Sequence, residues 1–331
     1  MSAPPLLLLS DADVRALFTP AVALAAAEAA FRAQGEGQAS PPQSIGFHLP
    51  SGGFHVKAAL HLGERPVFAA KVNGNFPGNP AAHGLPTIQG AVVLADAERG
   101  HPLAIIASGW LTALRTAAAS GVAIKYLADP AATVAALIGC GVQGRTHLPI
   151  LRQLLGLREI RLADADPHRA ERLAGEMREE AGIAFRACAS VTDAARGAQV
   201  IVTCTTSTVP LLGAGDVTPG TMIAAVGADN PHKWEMAPSL MAASAVVCDL
   251  TSQCAEIGDL HHALEAQAMQ LPDVRAQLGE VVAGTRPGRH TQEEILIFDS
   301  TGTALLDVTA ALGIFQAAAA AGRGTPFDLQ H

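Results

Sequence analysis

The segment LIGCGVQG, residues 137–144, constrains the fold of this chain more than any other. Its glycines, Gly139, Gly141 and Gly144, have the GxGxxG spacing, follow an apolar run typical of a buried strand, and open a segment typical of a helix. An acid, Asp164, ends the next apolar run about twenty residues later. This order predicts a parallel βαβ unit whose turn lets backbone N–H groups approach a phosphate.

The chain after Pro130 alternates between short apolar runs and helical segments. An alternation of buried strands and helices is typical of an α/β fold with a Rossmann-type, doubly wound parallel sheet. The predicted strands are TVAALIG, EIRLAD, AQVIVTC, TMIAAVG and SAVVCD.

The part of the chain before Arg115 has a different sequence pattern. Short runs broken by Gly, Pro and Asn (FHVKAAL, PVFAAKV, TIQGAVVLAD and PLAIIAS) predict a largely antiparallel sheet, and a helix is predicted from Trp110 to Leu127. We therefore expect an α+β substrate and dimerisation domain over 1–122, completed by the C-terminal helix at about 304–331. The Rossmann-type domain covers 123–303. Two domains joined twice would make a hinged cleft.

Composition narrows the classes of partner. Of the 331 residues 49% are hydrophobic and 16% charged, and the formal net charge is -8. No basic face therefore favours a nucleic acid or an anionic membrane, and Leu6–Leu9 is too short to span one. A small-molecule partner is expected instead.

Cysteine and histidine usage indicates the compartment and bears on metals. The five cysteines show no CxxC pairing and no signal peptide precedes them, which favours reduced thiols in the cytoplasm. The twelve histidines form no HxxxH pattern, and no cluster of carboxylates accompanies them. We therefore expect no metal site.

The acid after the second strand of the βαβ unit bears on the choice of cofactor. Asp164 is expected to accept hydrogen bonds from two ribose hydroxyls, and a 2′-phosphate would meet its carboxylate unfavourably. We therefore expect NAD(H) rather than NADP(H), although the nearby Arg161 and Arg169 leave NADP(H) open.

Arg115 lies within LTALRTAAAS, a run of small and apolar residues with no acid within four positions on either side. An arginine is rarely buried unless it is paired. Either it reaches solvent or an acid distant in sequence, or its partner is a substrate anion, which a planar fork of donors suits well. The residues of this segment leave both alternatives open.

Five segments together carry a resemblance that covers nearly the whole chain. They are AAKVNGNFPGNPAAHGLPT (69–87), LTALRTAAAS (111–120), the glycine loop, VGADNPHKWEM (226–236) and IFDSTGTALLD (297–307). With them the chain resembles the ornithine cyclodeaminase and mu-crystallin family, which includes an archaeal alanine dehydrogenase and several imine reductases.

The resemblance implies roles for particular residues. Lys71 and Arg115 match the residues that hold the substrate α-carboxylate, and Asp229 matches an aspartate that faces the substrate nitrogen. Members are commonly dimers through the first domain, so the resemblance implies a homodimer. The implied cofactor contacts are Gly139, Gly141, Val142, Gln143, Gly144, Asp164, Thr205, Thr206 and the turn Ser300, Thr301, Gly302.

Two positions depart from the family pattern. Gln43 in SPPQSIGF stands where many members carry an arginine, and His55 stands where ornithine-specific members carry a glutamate for the distal ammonium. Lys57 alternates onto the same face of its strand as His55. We expect Gln43, His55 and Lys57 to bind substrate, with Lys57 replacing the arginine or meeting a second carboxylate; the alternative is that His55 and Lys57 face solvent.

These positions favour an enzyme acting on CH–NH2 or C=N groups. The first expectation is NAD(P)H-dependent reduction of an α-imino acid, or reductive amination of a 2-oxo acid, to an amino acid, with a dicarboxylic imine such as iminosuccinate as one candidate. One alternative is a cyclodeaminase that converts a diamino acid to a cyclic amino acid and ammonia. The other is a non-catalytic binding protein like mu-crystallin.

Overall fold

The computed structural model describes residues 5–177 and 182–329, which form two compact units. The first unit contains the described parts of Met1–Arg115 and Thr303–His331, and the second contains those of Thr116–Gly302. Each unit has its own large sheet, as the change from broken to alternating apolar segments along the sequence predicts.

The first unit is an α+β layer built on one sheet. Its elements are β1 (Leu6–Leu9), α1 (Asp11–Leu17), α2 (Pro20–Gly35), β2 (Gln43–Leu49), β3 (Gly52–His61), β4 (Val67–Asn75), α3 (Asn79–His83), β5 (Ile88–Asp96), β6 (Pro102–Ala107) and the start of α4 (Ser108–Leu127). The strand order is β17-β1-β6-β5-β4-β3-β2, where β17 is Thr325–Phe327 near the C-terminus. All neighbouring strands are antiparallel except β1 and β6.

The second unit is the predicted doubly wound layer. Its elements are β7 (Val134–Ile138), α5 (Val142–Leu154), β8 (Glu159–Ala163), α6 (Pro167–Glu176), β9 (Ala184–Ala187), α7 (Val191–Ala195), β10 (Val200–Thr203), β11 (Thr208–Leu212), β12 (Met222–Ala225), β13 (Trp234–Met236), α8 (Pro238–Ala242), β14 (Ala245–Cys248), α9 (Thr251–Ile257), α10 (Asp259–Glu265), a 3-10 turn (Leu271–Asp273), β15 (Ala276–Gln277), α11 (Leu278–Val282) and β16 (Leu296–Asp299).

Eight of these strands form one parallel sheet in the order β15-β14-β16-β12-β10-β7-β8-β9. The central strands β7, β10, β12 and β16 are buried almost throughout, which explains their continuous apolar sequences. The predicted fold class is confirmed.

The last helix, α12 (Ala304–Ala321), belongs to the first unit and packs on α2, β3 and β4. Thr303 caps it by accepting a hydrogen bond from the Leu305 N–H, and Gly322 ends it in the left-handed region with φ +60°. Among the described residues, α12 is the one single helix long and apolar enough to cross a membrane, but over half of it is buried in this unit. A core helix passes the same test of length and composition.

Candidate functional site

The glycine loop of the second unit has a distinct physical reason for each glycine. Gly139 has φ +102°, and a Cβ there would lie 2.7 Å from the carbonyl oxygen of Cys204. A Cβ at Gly144 would lie 2.1 Å from the carbonyl oxygen of Gly139, so helix α5 approaches the loop too closely for any side chain. At Gly141 a Cβ would meet no described atom within 4 Å, so its backbone borders open space.

These three environments fit a dinucleotide pyrophosphate. Gly141 is the N-cap of α5 and provides no side-chain cap, which leaves the first N–H groups of the helix for an anion. Val142 beside it is exposed, and the Oε1 atom of Gln143 is buried without a hydrogen-bond partner among the described residues. The loop residues thus fit the group that the sequence implies.

Asp164 lies where the sequence predicts it, directly after β8. One carboxylate oxygen accepts a hydrogen bond from the Cys140 N–H at 2.7 Å and the other from the Asp166 N–H at 3.0 Å. The acid is therefore fixed against the glycine loop and remains half-buried. Burial raises the pKa of the Cys140 thiol to about 12, so Cys140 serves as a small core residue.

The other predicted cofactor residues lie after β10 and β16, at the same carboxyl edge of the sheet. Thr205 is half-buried and Thr206 exposed, whereas Ser300 is buried and Gly302 has φ +81°. In a parallel sheet the carboxyl ends of the strands form the ligand edge. The second unit therefore gathers the predicted cofactor residues at one edge.

The first unit contains a buried cluster of two cations and one acid. The Lys71 Nζ lies 2.8 Å from Asp307 Oδ1, and the Arg115 Nε lies 3.0 Å from the same oxygen. Lys71, Arg115 and Asp307 are 3%, 6% and 2% exposed. We call these three residues the cation cluster. The structure brings together the two residues predicted to hold a carboxylate.

Three elements position the cation cluster. Lys71 lies on β4, Arg115 on α4 and Asp307 in the first turn of α12, where the helix dipole favours an acid. The start of α4 is joined to β4 because the Ser108 hydroxyl donates to Asn73 Oδ1 at 2.5 Å.

Burial and mutual attraction set the charges of the cation cluster. Burial lowers the pKa of Lys71 to about 7, against the attraction of Asp307. Burial opposes ionisation of Asp307 as well, but Arg115 and Lys71 outweigh it, so the pKa of Asp307 lies below its usual value. The cluster holds one fixed cation, one fixed anion and a lysine that titrates near neutral pH.

Of the two alternatives for Arg115, the structure shows the acid distant in sequence, because Asp307 lies beside the guanidinium. Binding of a substrate carboxylate by Arg115 stays a prediction. One acid nevertheless faces two cations, and Asp307 Oδ2 is buried without a hydrogen-bond partner among the described residues. Asp307 was not predicted; the sequence clue was a lone acid near the start of an otherwise apolar helix.

Strand register places Lys57 on the same face of the sheet as Lys71. Lys57 on β3 lies directly opposite Lys71 on β4, and directly opposed residues share one face of a sheet. It is half-buried and contributes to the lowering of the pKa of Lys71. His55 lies opposite Asn73 on that same face and is also half-buried.

Gln43 does not join them. It lies opposite Ala58 on the edge strand β2, and because Ala58 and Lys57 are consecutive they point to opposite faces. Its side chain is exposed, and its Nε2 donates to the carbonyl oxygen of Pro41 at 3.4 Å. The register therefore places Gln43 on the face of the sheet opposite Lys71, and its contact with substrate stays a prediction.

Asp229 belongs to the second unit and the cation cluster to the first. It is half exposed and forms an ion pair with Lys233 Nζ at 2.7 Å. It lies in the loop after β12, at the same edge of the second sheet as the predicted cofactor residues. Its role toward substrate stays a prediction.

The sequence profile of the ornithine cyclodeaminase/mu-crystallin family matches residues 6–322. The chain belongs to this family. The resemblance found from the sequence motifs is thus confirmed over nearly the whole chain.

Relatives within the family include enzymes of amino-acid chemistry. The chain is 34% identical over 310 residues to an alanine dehydrogenase of Archaeoglobus fulgidus, which covers 94% of each chain. It is 33% identical over 321 residues to an iminosuccinate reductase of Paracoccus denitrificans, covering 95% of this chain and 97% of the relative.

Solved structures of the family have the same fold. An archaeal alanine dehydrogenase dimer with bound NAD superposes with a TM-score of 0.92 at 33% identity, covering 98% of this chain and 99% of that one. The Paracoccus denitrificans iminosuccinate reductase in complex with NAD+ gives 0.91 at 32% identity, with 98% and 100% covered. The Thermococcus litoralis Δ1-pyrroline-2-carboxylate reductase with NADH and L-proline gives 0.91 at 29%, with 97% and 99% covered.

Within residues 5–177 and 182–329, two groups of side chains have ligand atoms close enough for a metal ion. Cys248, Cys254 and Asp299 form one buried group, and their ligand atoms lie within 4.8 Å of one another. Burial raises the pKa of the Cys254 thiol well above its usual value, which disfavours the thiolate that a metal requires. The other group is His261, His262 and Glu265. The expectation of no metal stays a prediction.

Proposed function

We propose that the protein is an NAD(P)H-dependent reductase that converts an α-imino acid to an amino acid, or forms the amino acid from a 2-oxo acid and an amine. The observation that carries the proposal is the cation cluster, where two buried cations face one acid. When Lys71 carries its proton, this buried excess of positive charge is costly unless an anion completes it. The α-carboxylate of an imino acid has the required charge and size.

The cation cluster also suits the geometry of a carboxylate. Arg115 presents a planar fork of donors and Lys71 a compact ammonium, so both oxygens of a carboxylate can accept charge-assisted hydrogen bonds. Asp307 keeps both cations in place before the substrate arrives. Such fixation orients the carbon–nitrogen double bond of the substrate.

The glycine loop supports a dinucleotide cofactor for this reaction. When bound, the reduced nicotinamide supplies the hydride to the imine carbon. We propose NAD(H) over NADP(H), since Asp164 would repel a 2′-phosphate. The solved relatives that hold NAD, NAD+ or NADH support the nicotinamide class.

Asp229 is proposed to act on the substrate nitrogen. As a carboxylate it would stabilise an iminium cation and orient its N–H, or relay a proton in the reverse direction. Its ion pair with Lys233 holds the carboxylate in the loop after β12.

The substrate class is proposed to include a second carboxylate. Lys57 adds a third cation to the face that carries Lys71, and His55 lies two residues away on that face. No carboxylate replaces the glutamate of ornithine-specific members at position 55, which disfavours a cationic tail. A dicarboxylic imine such as iminosuccinate fits these charges, and one relative of the chain is named iminosuccinate reductase.

We further propose a homodimer formed by the outer face of the first sheet. This face, opposite Lys71, exposes large apolar residues; Ile45, Phe47 and Leu49 are each more than half exposed, and Phe54 and Val72 extend the patch. Exposed apolar patches of this kind mark protein interfaces, and one solved relative is a dimer. Sedimentation velocity should give a dimer that Phe47→Glu dissociates; a monomeric wild-type protein would contradict it.

The reductase proposal is tested at Asp229. An Asp229→Asn variant keeps the shape of the side chain but loses the charge and the proton acceptor. We expect kcat for imine reduction to fall at least about 100-fold while NADH affinity changes little. Product amino acid is measured by chromatography, and unchanged turnover would contradict the assigned role.

A further inference from the structure

Two fully buried acids of the second unit, Glu235 and Asp249, lie behind the predicted cofactor loops. Glu235 is on β13, and Asp249 directly follows β14. Glu235 lies within the segment 226–236 that carries part of the family resemblance, but the resemblance implied no role for Glu235 or for Asp249. Each binds a different loop at the carboxyl edge of the sheet.

Glu235 binds the backbone and hydroxyl groups after β10 and β12. Its Oε1 accepts hydrogen bonds from the Thr205 N–H at 2.7 Å and the Thr205 hydroxyl at 2.8 Å. Its Oε2 accepts from the Gly227 N–H at 2.8 Å and the Thr203 hydroxyl at 2.7 Å. A Cβ at Gly227 would lie 2.4 Å from the Glu235 carboxyl carbon, so the glycine permits this approach.

Asp249 binds the turn after β16 in the same manner. Its Oδ2 accepts hydrogen bonds from the Ser300 hydroxyl at 3.0 Å, the Thr301 N–H at 2.9 Å and the Gly302 N–H at 2.7 Å. Its Oδ1 accepts from the Leu250 N–H at 2.7 Å and the Thr301 hydroxyl at 3.3 Å. The whole turn is thus fixed on one carboxylate.

Two further buried acids connect these anchors. Asp259 Oδ1 accepts hydrogen bonds from the N–H groups of Glu235 and Met236 at 2.7 and 2.8 Å. The Asp299 oxygens accept from the N–H groups of Asp259 and Leu260 at 3.3 and 2.9 Å. The loops after β10 and β16 are therefore joined through the interior of one unit.

The chemistry of these contacts requires a carboxylate at both positions. Both oxygens of each side chain accept hydrogen bonds from backbone N–H groups, whereas an amide of the same shape turns two N–H donors toward one set of partners. Either orientation of an amide at position 235 or 249 would therefore set donors against donors. The acids determine the loop conformations and do not merely fill space.

We propose that Glu235 and Asp249 are positioning residues that hold the Thr205 loop and the Ser300–Gly302 turn in the conformation that binds the nicotinamide half of the cofactor. In a doubly wound sheet each mononucleotide half of a dinucleotide binds one half of the sheet. The glycine loop and Asp164 lie on the side of β7, β8 and β9, whereas both anchored loops follow strands beyond β7 on the other side. This inference rests on the proposed nicotinamide cofactor.

The test compares two ligands on Glu235→Gln and Asp249→Asn variants. Binding of NADH, which has both halves, and of ADP-ribose, which lacks nicotinamide, is measured by titration calorimetry. We expect NADH affinity to fall at least about tenfold in each variant and ADP-ribose affinity to stay within about threefold, because the loss of hydrogen bonds is confined to one half.

Asp216→Asn is the matched control. Asp216 also accepts a backbone and a hydroxyl hydrogen bond, from the Gly213 N–H at 2.8 Å and the Thr192 hydroxyl at 2.9 Å, but at a turn outside the predicted cofactor residues. The melting temperature of the Asp216→Asn variant reports how much stability is lost when an acid that accepts such hydrogen bonds is replaced. The affinity of this variant for NADH should equal that of the wild type.

The outcomes separate the two proposals. If the wild-type protein binds neither NADH nor NADPH, the proposed function fails and the positioning roles fail with it. If the wild type binds NADH but the folded variants bind it equally well, or lose both ligands in parallel, the positioning roles alone are overturned. If the acid variants do not fold, the Thr203→Val variant provides the test, because it removes one hydrogen-bond donor to Glu235. Its affinity for NADH should be about threefold lower than that of the wild type. An affinity equal to that of the wild type would overturn the role of Glu235.

Discussion

Lys71 illustrates how burial prepares a residue for binding. Its ammonium is almost inaccessible, and burial lowers its pKa to about 7 although Asp307 lies 2.8 Å away. A lysine with this pKa is a cation below neutral pH and a neutral amine above it. The affinity of the cation cluster for a carboxylate should depend on that change.

We predict that carboxylate affinity decreases as the pH rises through about 7. The inhibition constant of propionate, whose carboxyl stays ionised, is measured from about pH 6 to about pH 9 and should rise across this range. The Lys71→Met variant should bind propionate more weakly and lose the dependence. The same dependence in wild type and variant would assign it to another group.

The sequence predicted both cations of this cluster but not their acid. Lys71 and Arg115 lie in motifs that define the family, so resemblance identified them. Asp307 is almost two hundred residues from Arg115, and only the packing of α12 on the first sheet brings them together. Pairing over such a distance depends on tertiary packing, which residue patterns do not specify.

At the scale of elements, the turn between β7 and α5 can be tested by two glycine substitutions with opposite expectations. Gly141→Ala should keep the melting temperature near the wild-type value, since its Cβ meets no described atom within 4 Å and its φ of -79° suits alanine. It should nevertheless lose most NADH affinity because the methyl group occupies the path of the pyrophosphate.

Gly144→Ala should instead lower the melting temperature, because its Cβ would lie 2.1 Å from the Gly139 carbonyl oxygen. Calorimetric scans and NADH titrations of both variants check this contrast. Full NADH affinity in Gly141→Ala would exclude the loop as the pyrophosphate site.

The register of β3 on β4 gives a prediction for substrate choice. If Lys57 receives a second carboxylate, Lys57→Ala should lower kcat/KM for a dicarboxylic imine about tenfold or more, as expected for a lost hydrogen bond to a charged group. The value for a monocarboxylic imine should change less than about threefold. Lys125→Ala, at an exposed position of α4, is the control and should change neither.

Two helices were located closely from the sequence. The start of α12 and the end of α4 agree with the predicted positions, because an apolar run and the residues that interrupt it are local features. Strand β2 was not predicted from the sequence. Its residues are exposed throughout, so no buried face requires the alternation of apolar and polar residues that marks a half-buried strand. The face of the sheet on which Gln43 lies was not predictable for the same reason, since strand register decides it.

At the scale of the whole molecule, the buried acids of the second unit should make stability depend on pH. Burial raises the pKa of Asp299 to about 7, above its ordinary value of 3.8. Between these values the folded protein holds a proton that the unfolded chain releases. The free energy of unfolding should therefore fall as the pH rises from about 4 to about 7, by at most about 1.4 kcal/mol per pH unit for this group.

Urea unfolding of the wild type and of Asp299→Asn across this range isolates the contribution. The comparison is needed because His147, whose pKa burial lowers to about 4, acts in the opposite direction. The difference in unfolding free energy between wild type and variant should shrink as the pH rises. A difference independent of pH would show that Asp299 does not hold the proton.

The two-unit organisation and the class of both sheets were predictable from the sequence. Apolar runs broken by Gly, Pro and Asn are typical of an antiparallel sheet, whereas apolar runs that alternate with helical segments are typical of a parallel sheet covered by helices. The network of Glu235, Asp249, Asp259 and Asp299 was not. Each acid lies in a different segment, and only the parallel strand order brings their oxygens to one edge.

The most direct test of the proposed function follows absorbance at 340 nm with purified protein and NADH. Pyruvate, glyoxylate and oxaloacetate are each offered with ammonia or methylamine, together with cyclic imino acids, and L-ornithine with NAD+ is the contrast. Oxidation of NADH by at least one imine, strongest with the dicarboxylic acid, is the predicted result. Release of ammonia and formation of proline from ornithine, with no net change at 340 nm and no imine reduced, would contradict it and identify a cyclodeaminase.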